Sequence, residues 1–434
     1  MLSNEAIGVI GVIGLLVMVF VGVRVYIAAA VTGLLGLVSI LGWSAGAGMA
    51  GTIPHSKSIS YTLSVLPLFI LIGYLAYYAR MTRAIFDAGR AWMGWMPGGL
   101  AVASVFACAG FGAVSGASTA TAAVFSRVAV PEMLRSGYAP SLAAGTIAVG
   151  GTLAALIPPS ALLVIYAIMV EKSVGQLLIA GFIPGIISVL AYAVIIVVWA
   201  MINPSIARPI RGYTWKQRIV SLPKTTPLFG VVGIIFSAMY LGWATPTEAG
   251  ALGAFLVLIV ALLNGMRVLE LREAVEETAR LTVMIFSLIW GVLIFVRFLG
   301  FSGLPQVFTD WIVSLPVSPT VVMIMILLGY VVLGMFMDAI GMMMLTLPIV
   351  YPAVIALGYD PIWFGIVVVK MAEICLITPP IGLNCFVVAS VRPDIPVNEV
   401  FRGSAPFLVA EVVTIGIFLT WPQVITWLPE QALK

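Results

Sequence analysis

Long apolar runs separated by short polar links dominate this chain. The runs at 6–23, 25–43, 180–202, 227–243, 281–300 and 407–427 approach or reach the roughly 20 residues that a helix needs to cross a bilayer. The first run has no basic residue before it and no convincing cleavage site, which indicates a retained helix rather than a signal peptide. We therefore predict an all-α polytopic membrane protein.

Composition supports this prediction, because 62% of the residues are hydrophobic and only 9% are charged, whereas roughly a quarter of a soluble domain is charged. Cys108, Cys375 and Cys385 are odd in number and lie in apolar surroundings, so we expect buried thiols rather than disulfides. The single histidine, His55, excludes a histidine-based metal cluster. The net charge of +4 does not indicate a nucleic-acid partner, since in a membrane protein the positions of basic residues matter more than their sum.

The positions of the basic residues predict the orientation of the chain. The link at 80–90 is rich in arginine, and residues 205–224 hold no acid and five basic residues, Arg208, Arg211, Lys216, Arg218 and Lys224. Both links are expected on the cytoplasmic side. Residues 301–317 hold only the charge of Asp310 and are expected on the opposite side. Threading the runs between these links places the N-terminus and the C-terminus outside a bacterial or archaeal inner membrane.

Two segments share one pattern of residues. At one fixed offset, six residues of the first segment fall on identical residues of the second, pairing Pro131, Gly137, Tyr138, Pro140, Pro158 and Pro159 with Pro352, Gly358, Tyr359, Pro361, Pro379 and Pro380. Proline makes up about 5% of an average sequence, so four coinciding prolines indicate an internal repeat. The predicted topology approaches the two copies from opposite sides. We therefore expect an inverted repeat, which is typical of secondary transporters.

Each copy contains a helix interrupted at a Pro-Pro pair. Helix 140–169 is expected to break at 157–160 and helix 361–390 at 377–382, because proline lacks an amide donor and disfavours the helical conformation before it. In lipid, unpaired carbonyls are tolerated where they line a cavity, so paired breaks indicate a binding site at the midplane. The alternative is a plain proline kink. The carbonyls expected to be free are those of Ala154, Ala155, Cys375 and Leu376.

Each broken helix follows a hairpin, and each hairpin follows an amphipathic arm helix. The arms are predicted at 80–96 and 304–315, in the membrane interface. Re-entrant hairpins are predicted at 98–136 and 318–357, since their apolar arms are too short for two full crossings. The first tip, at 112–119, has small and hydroxylated residues, and the second lies near Gly334, Asp338 and Gly341. Small residues at these tips can also serve helix packing.

These elements divide the chain into five parts. Scaffold helices occupy 1–63, and the first repeat occupies 64–203. A basic cytoplasmic loop and central scaffold helices follow at 204–280. The second, inverted repeat occupies 281–391, and a C-terminal helix occupies 392–434.

Arg127, Asp338, Lys370 and Glu373 lie inside apolar stretches, and ionisable residues there are functional candidates. Lys370 and Glu373 share one helical face. This spacing fits a mutual ion pair, and it also fits a substrate-binding lysine beside an acid that helps to hold a cation. Glu248 differs, because Thr245-Pro246-Thr247-Glu248 forms a capping box and predicts a structural role.

Over nearly its whole length the chain resembles the large membrane subunit of the tripartite ATP-independent periplasmic (TRAP) transporters. The resemblance rests on residues 112–121, 131–133 and 137–138 together with Ile157-Pro158-Pro159-Ser160, Thr245-Pro246-Thr247-Glu248-Ala249, Gly334-Met335-Phe336-Met337-Asp338 and Thr378-Pro379-Pro380-Ile381-Gly382-Leu383-Asn384. It implies sodium-driven uptake of a small organic acid and an elevator-type movement of the hairpin core. It also implies a small four-helix membrane subunit and a soluble periplasmic substrate-binding protein as partners. The expected ions are sodium alone, with no cofactor.

The resemblance implies two sodium sites and a substrate site, each formed by a hairpin tip and a break. The first sodium site is expected at Ser115, Gly116, Ser118, Thr119, Thr152, Leu156 and Pro158. The second is expected at Gly334, Asp338, Gly341, Glu373, Thr378 and Gly382. The substrate is expected at Ser115, Ser160, Lys370, Pro379 and Asn384.

Lys370 departs from the family pattern, in which an apolar or amide residue is usual at this position, and residues 342–344 are unusually rich in methionine. An intramembrane serine hydrolase is the alternative function, because Ser115 lies between small residues, but the sequence offers no partner base for it. A channel is disfavoured by the absence of a charged or carbonyl ring motif. The prediction is a transporter and not an enzyme.

Overall fold

A computed structural model of the chain describes residues 2–210 and 212–432, without the side chain of Lys57. Predictions that involve Met1, Arg211, Leu433 and Lys434 lie outside the described residues. Every regular element in the described part is helical, so the all-α prediction is confirmed. Six helices are long and apolar enough to cross a membrane, and a pair bent by 51° could form a seventh span.

The α-helices of the described part run from α1 to α22. They are α1 (Asn4–Phe20), α2 (Val25–Leu41), α3 (Trp43–Ser58), α4 (Val65–Tyr78), α5 (Met81–Met93), α6 (Gly99–Ser115), α7 (Ser118–Arg135), α8 (Pro140–Thr152), α9 (Ala161–Met169), α10 (Val174–Ala180), α11 (Phe182–Ile202), α12 (Trp215–Ser221), α13 (Thr226–Tyr240), α14 (Pro246–Leu263), α15 (Val268–Ser302), α16 (Leu304–Ser314), α17 (Pro319–Gly334), α18 (Ala339–Ala356), α19 (Pro361–Cys375), α20 (Leu383–Val391), α21 (Val397–Thr420) and α22 (Gln423–Ala432). Short 3-10 turns lie at Tyr61–Ser64, Leu153–Ala155 and Leu222–Lys224.

Both segments contain helices at the positions predicted for an arm, a hairpin and a broken helix. In the first, α5 precedes the helix pair α6–α7, and α8 and α9 flank the first break. In the second, α16 precedes α17–α18, and α19 and α20 flank the second break. These bounds lie within a few residues of those expected from the sequence. In the first broken helix, α8 ends at Thr152, earlier than expected, because the next turn, Leu153–Ala155, tightens to a 3-10 turn before the prolines.

Four helices outside these segments, α2, α4, α14 and α15, pack on one another as one layer. The helix α15 packs against α2 and α4, and α14 packs against α4. The predicted boundary at 280 and 281 falls inside α15, which is continuous over 35 residues. Its polar first half is supported by surface ion pairs such as Arg272–Glu276 at 2.6 Å. The capping box predicted at the start of α14 is confirmed, since the Glu248 amide donates to Thr245 Oγ1 at 3.3 Å and Glu248 Oε2 accepts from the Thr245 amide at 2.8 Å.

Two segments differ from the sequence-based expectation. Residues 43–58, the stretch around His55 that follows the apolar run at 25–43, form a helix of their own, α3. The C-terminal part contains two helices, α21 and α22, instead of one. The helix α21 begins ahead of the apolar run at 407–427, because polar residues such as Glu399 and Arg402 continue the helix outside that run and pair at 3.3 Å on its surface.

The helix α8 is buried over most of its length and lies at the centre of the molecule, against α6, α7, α20 and α21. Glycine permits the closest of these contacts: a Cβ on Gly145 would lie 2.2 Å from the carbonyl carbon of Gly403. The helix α11 lies at the edge of this core. Its residues Leu190 and Val194 are exposed, as expected of a face in contact with lipid, while Tyr192 is turned inward and fully buried.

Candidate transport site

The tip of the first hairpin lies against the first Pro-Pro break. Gly116 follows α6 with a φ of 58°, and a Cβ added there would lie 2.6 Å from the carbonyl oxygen of Pro159. A Cβ on Gly112 would lie 2.9 Å from the Cα of Ala154. Glycine therefore brings two backbones together where the sequence predicts tip and break to meet.

The hydroxyl groups predicted for the first sodium site have separate partners. Ser115 Oγ lies 3.0 Å from Thr121 Oγ1. The Thr152 hydroxyl donates to the carbonyl of Val149 at 2.8 Å and lies 3.4 Å from Tyr192 OH, on the side of α11. Thr152 therefore links the end of α8 to α11. Of the other predicted residues, Ser118 and Thr119 lie at the start of α7, and Leu156 and Pro158 lie within the break.

Two of the four carbonyls expected to be free at the breaks are hydrogen-bonded. The Ser160 hydroxyl donates to the carbonyl of Ala155 and accepts from the Leu163 amide, so it caps α9. In the second break the backbone N–H of Asn384 donates to the carbonyl of Leu376 at 2.9 Å. The prediction of free carbonyls at Ala155 and Leu376 is therefore wrong, because residues beyond the prolines fold back and satisfy them.

The tip of the second hairpin meets the end of α19. A Cβ on Gly334 would lie 1.6 Å from Cys375 Sγ, so only glycine fits there. Asp338 is exposed and caps α18, since its Oδ2 accepts from the Gly341 amide at 3.0 Å. Glu373, the other acid predicted for the second sodium site, is paired elsewhere, in the buried cluster described below.

Residues after the second break reach the first broken helix. The side chain of Asn384 is buried and donates from Nδ2 to the carbonyl of Ala148 at 3.0 Å. Its Oδ1 is also buried and has no hydrogen-bond partner among the described residues. Thr378 donates to a carbonyl of the preceding helical turn, Gly382 has a φ of 40°, and Pro379 is exposed. The predicted substrate residue Asn384 thus connects α20 to α8.

A buried charged cluster lies between α19, α21 and α11. Lys370 Nζ lies 2.7 Å from Glu373 Oε2 and 2.9 Å from Glu411 Oε2, and it donates to Ser188 Oγ at 2.9 Å. Tyr192 OH donates to Glu411 Oε1. These residues are fully buried. The ammonium group donates hydrogen bonds to Ser188 and Glu373, whereas Glu411 Oε2 is held by the ion pair and has no hydrogen-bond partner among the described residues. The mutual ion pair of Lys370 and Glu373 is present, and the substrate contact of Lys370 stays a prediction.

Glu411 is absent from the residues that the sequence singles out above. Glu411 is an ionisable residue within the apolar run at 407–427, which is the same signal that singled out Glu373, so the sequence could have identified Glu411 as well. Ser188 and Tyr192 carry a weaker signal, because hydroxyl groups are common on membrane helices. Their inward position on α11 becomes evident only in the folded chain.

A cavity of about 410 Å³ opens beside the first tip. Hydroxyl groups, one guanidinium group and one carboxylate line it together with apolar side chains, and its polar lining residues are Ser115, Tyr74, Tyr77, Tyr78, Arg127 and Glu277. Arginine and hydroxyl groups are the donors that bind carboxylates well. The cavity therefore joins a predicted sodium and substrate residue, Ser115, to the membrane arginine Arg127.

Similar proteins are membrane permeases. Residues 11–424 match the family described as "Tripartite ATP-independent periplasmic transporter, DctM component". The C4-dicarboxylate TRAP transporter large permease protein DctM of Pseudomonas aeruginosa is 35% identical over 375 residues, which cover 86% of each chain. The protein of the same name from Vibrio cholerae is 32% identical over 437 residues and 95% of each chain. The sialic acid TRAP transporter large permease protein SiaM of Vibrio cholerae is 29% identical over 86% of this chain and 87% of its own.

The YdaH transporter of Alcanivorax borkumensis has a similar fold, with a TM-score of 0.59 at 14% identity over 87% of this chain and 90% of its own. The relatives are permeases, so the serine hydrolase alternative is excluded and the protein is not an enzyme. Membership in a tripartite family implies a small membrane subunit and a periplasmic binding protein as partners. On the family match and the two relatives above 30% identity, this chain belongs to the DctM family, the large membrane component of TRAP transporters.

Proposed function

We propose that the chain takes up a small organic acid from the periplasm in symport with sodium, by elevator-type alternating access. A soluble binding protein delivers the acid, and a small four-helix membrane subunit completes the transporter in the inner membrane. The observation that carries this proposal is the pairing of each hairpin tip with a break. Gly116 lies against Pro159, and Gly334 lies against Cys375. Interrupted helices that meet re-entrant tips offer backbone oxygens to a cation and helix N-termini to an anion.

The moving core in this proposal comprises the hairpin and the broken helix of each repeat, and the layer of α2, α4, α14 and α15 is the scaffold. The repeats have the same order of elements, α5 to α9 and α16 to α20. An inverted arrangement of two such units would have two equivalent packings, which expose the site to each side in turn. Both termini are then outside, and the amphipathic helices α5 and α16 are the arms in the interface.

The substrate site in this proposal is the cavity beside the first tip. Arg127 supplies a permanent positive charge, and Ser115 and the tyrosines of α4 supply hydroxyl donors. Arg127 is a better candidate for the substrate anion than Lys370, because the charge of Lys370 is already paired with the two buried acids Glu373 and Glu411. The predicted residues Ser160, Pro379 and Asn384 do not line this cavity, so their contact with the substrate stays a prediction.

Two relatives above 30% identity are named for C4-dicarboxylates, and another is named for sialic acid. A C4-dicarboxylate is therefore the first substrate to test. The experiment is uptake of a radiolabelled C4-dicarboxylate by proteoliposomes that contain the chain, its small subunit and the cognate binding protein. We expect uptake with an inward sodium gradient and none when potassium replaces sodium. Equal uptake in both salts would contradict sodium coupling.

Arg127→Met tests the cavity, with Arg135→Met as the matched control. Both arginines are exposed residues of α7, but Arg127 lines the cavity and Arg135 does not. We expect Arg127→Met to lose uptake while binding-protein affinity for the substrate and thermal unfolding of the transporter stay at parental values. The control should keep uptake. Equal uptake by the two variants would exclude Arg127 as the substrate anion's partner.

A further inference from the structure

A cavity larger than the one beside the first tip lies between α5, α6, α11 and α13. Its volume is about 570 Å³, within the roughly 300–1,000 Å³ of sites that bind small molecules. Its lining is almost wholly apolar: polar groups come from Trp92, Thr225 and Ser237, and among the described residues no charged side chain lines it. An empty apolar cavity forfeits van der Waals contacts, which a hydrocarbon chain restores.

The cavity is open on the side that faces the bilayer. Leu190 on α11 and Phe229 on α13 both line it, and about half of each side chain is exposed, 51% and 53%. Towards the end of α13 the rings of Phe182 and Phe236 join the two helices, with centroids 4.7 Å apart. A hydrocarbon chain therefore enters between α11 and α13 from the side and ends at this pair of rings.

The opposite end of the cavity, before the start of α13, leads to basic residues. Leu222 and Thr225 line this end, and the exposed Lys224 lies between them in the chain. Trp92 also lines the cavity and donates from Nε1 to the carbonyl of Arg218 at 3.1 Å. Neither Arg218 nor Lys224 forms an ion pair with an acid of the described residues. Two positive charges thus flank this end, on the side predicted to be cytoplasmic.

Two tryptophans lie between the apolar cavity and these charges. The rings of Trp92 and Trp215 meet edge to face at 6.3 Å, and the Arg218 guanidinium lies 4.9 Å from the centre of the Trp215 ring. Tryptophan is enriched where membrane meets water, and basic pockets between helices on the cytoplasmic side bind acidic lipid headgroups. The order of apolar cavity, tryptophans and basic residues matches the order of acyl chain, interface and headgroup in a phospholipid.

We propose that this cavity binds an acyl chain of an anionic phospholipid, whose phosphate contacts Arg218 and Lys224. The chain lies against Pro158 and Pro159 of the first break, which line the cavity, and against α13, which packs on α14 of the scaffold layer. A membrane-spanning helix, roughly 10 Å wide and 30 Å long, is several times larger than the cavity, so a lipid chain fits better than a helix of the small subunit. The proposal does not depend on sodium, on the substrate or on an elevator movement.

The test is native mass spectrometry of the chain purified with its small subunit, with added phosphatidylglycerol or phosphatidylethanolamine, at a collision energy that removes loosely held lipid. We expect phosphatidylglycerol to stay bound. Gly233→Phe places a ring in the cavity, because Gly233 lines it and has open space around it. Gly230→Phe is the control, since Gly230 lies on the same helix in open space but does not line the cavity. Gly233→Phe should lose the lipid and Gly230→Phe should keep it, and equal lipid occupancy in the two would overturn the proposal.

The headgroup contacts are tested without filling the cavity, so this measurement stays decisive if Gly233→Phe does not fold. Arg218→Gln and Lys224→Gln should each weaken binding of phosphatidylglycerol roughly fivefold and leave phosphatidylethanolamine binding unchanged. Lys172→Gln, a change at an exposed lysine between α9 and α10, should have no effect. Thermal unfolding at parental temperatures shows that the variants are folded. A parent that binds both lipids equally would overturn the headgroup assignment.

The same spectra report whether the small subunit occupies the cavity instead of a lipid. Under the proposal the small subunit remains bound to Gly233→Phe, because the added ring displaces only the acyl chain. A parent complex that retains no phosphatidylglycerol, together with release of the small subunit from Gly233→Phe but not from Gly230→Phe, would assign the cavity to a helix of that subunit and overturn the proposal.

Discussion

The side-chain amide of Asn384 donates to the carbonyl of Ala148 at 3.0 Å. This hydrogen bond joins the helix after the second break to the first broken helix, so the two segments predicted as repeats meet directly in the core. Both groups are buried, so the contact is a polar link between the predicted half-sites that is shielded from water.

Asn384→Leu should remove this link without changing the size of the side chain. The loss of a buried hydrogen bond costs about 1 kcal/mol, and the backbone bond from Asn384 to Leu376 is kept. The melting temperature of the purified transporter should decrease, and sodium-driven uptake should fall. Ser390→Ala on the same helix is the control, because its hydroxyl bonds only within its own helix at an exposed position. Equal behaviour of the two variants would contradict a role for the Asn384 link.

Gly116→Ala should disrupt the contact between the first tip and the first break. The variant suffers the strain of a left-handed backbone, about 1–2 kcal/mol, and its Cβ would also lie 2.6 Å from the carbonyl oxygen of Pro159. Gly137→Ala is a matched control, because Gly137 has a φ of 81° and open space around it. We expect Gly116→Ala to lose more stability and more uptake than Gly137→Ala. Similar losses in both would mean that backbone strain alone is measured.

Gly334→Ala should disrupt the second tip more severely than Gly116→Ala disrupts the first. The added methyl group would lie 1.6 Å from Cys375 Sγ and 2.5 Å from its Cβ, so α17 and α19 must separate. Gly329→Ala on α17 meets open space and should be neutral or stabilising by up to about 1 kcal/mol through helix propensity. Uptake and thermal unfolding are measured for both variants. A Gly334→Ala variant as active as Gly329→Ala would refute close packing between this tip and α19.

Asp338 has two separable properties, its charge and its capping of α18. Asp338→Asn keeps a good N-cap and removes the charge, whereas Asp338→Ala removes both, and loss of a cap costs about 0.5–2 kcal/mol. If the carboxylate helps to hold sodium, both variants should need more sodium for half-maximal uptake, and only Asp338→Ala should melt earlier. Parental sodium dependence in Asp338→Asn would remove Asp338 from the second sodium site.

Lys370→Met leaves two buried acids without their ammonium partner, and breaking a buried ion pair costs about 3–5 kcal/mol. Lys370→Met/Glu411→Gln removes one charge of each sign and should recover much of the lost thermal stability. Uptake by the double variant then separates the two roles of Lys370. We expect uptake to recover with stability. A stable double variant without uptake would favour the predicted contact between Lys370 and the substrate.

The sequence by itself determined the features that depend on local chemistry. Proline has no amide donor, so the helix breaks at Pro158-Pro159 and Pro379-Pro380 are encoded where they occur. Apolar runs, glycines at tips and the capping box at Thr245 likewise act within one or two helical turns. These local rules predicted an all-helical membrane chain and the bounds of both hairpins and both broken helices to within a few residues.

Only the tertiary structure decided which distant groups meet. Ala155 and Leu376 were expected to have free carbonyls, but residues beyond the prolines fold back onto them. Glu411 meets Lys370 and Asn384 meets Ala148 because helices far apart in sequence pack around α8. A helical pattern specifies which face of a helix is buried but not which helix will cover it. The partners of a buried charge therefore became evident only once the helices were packed.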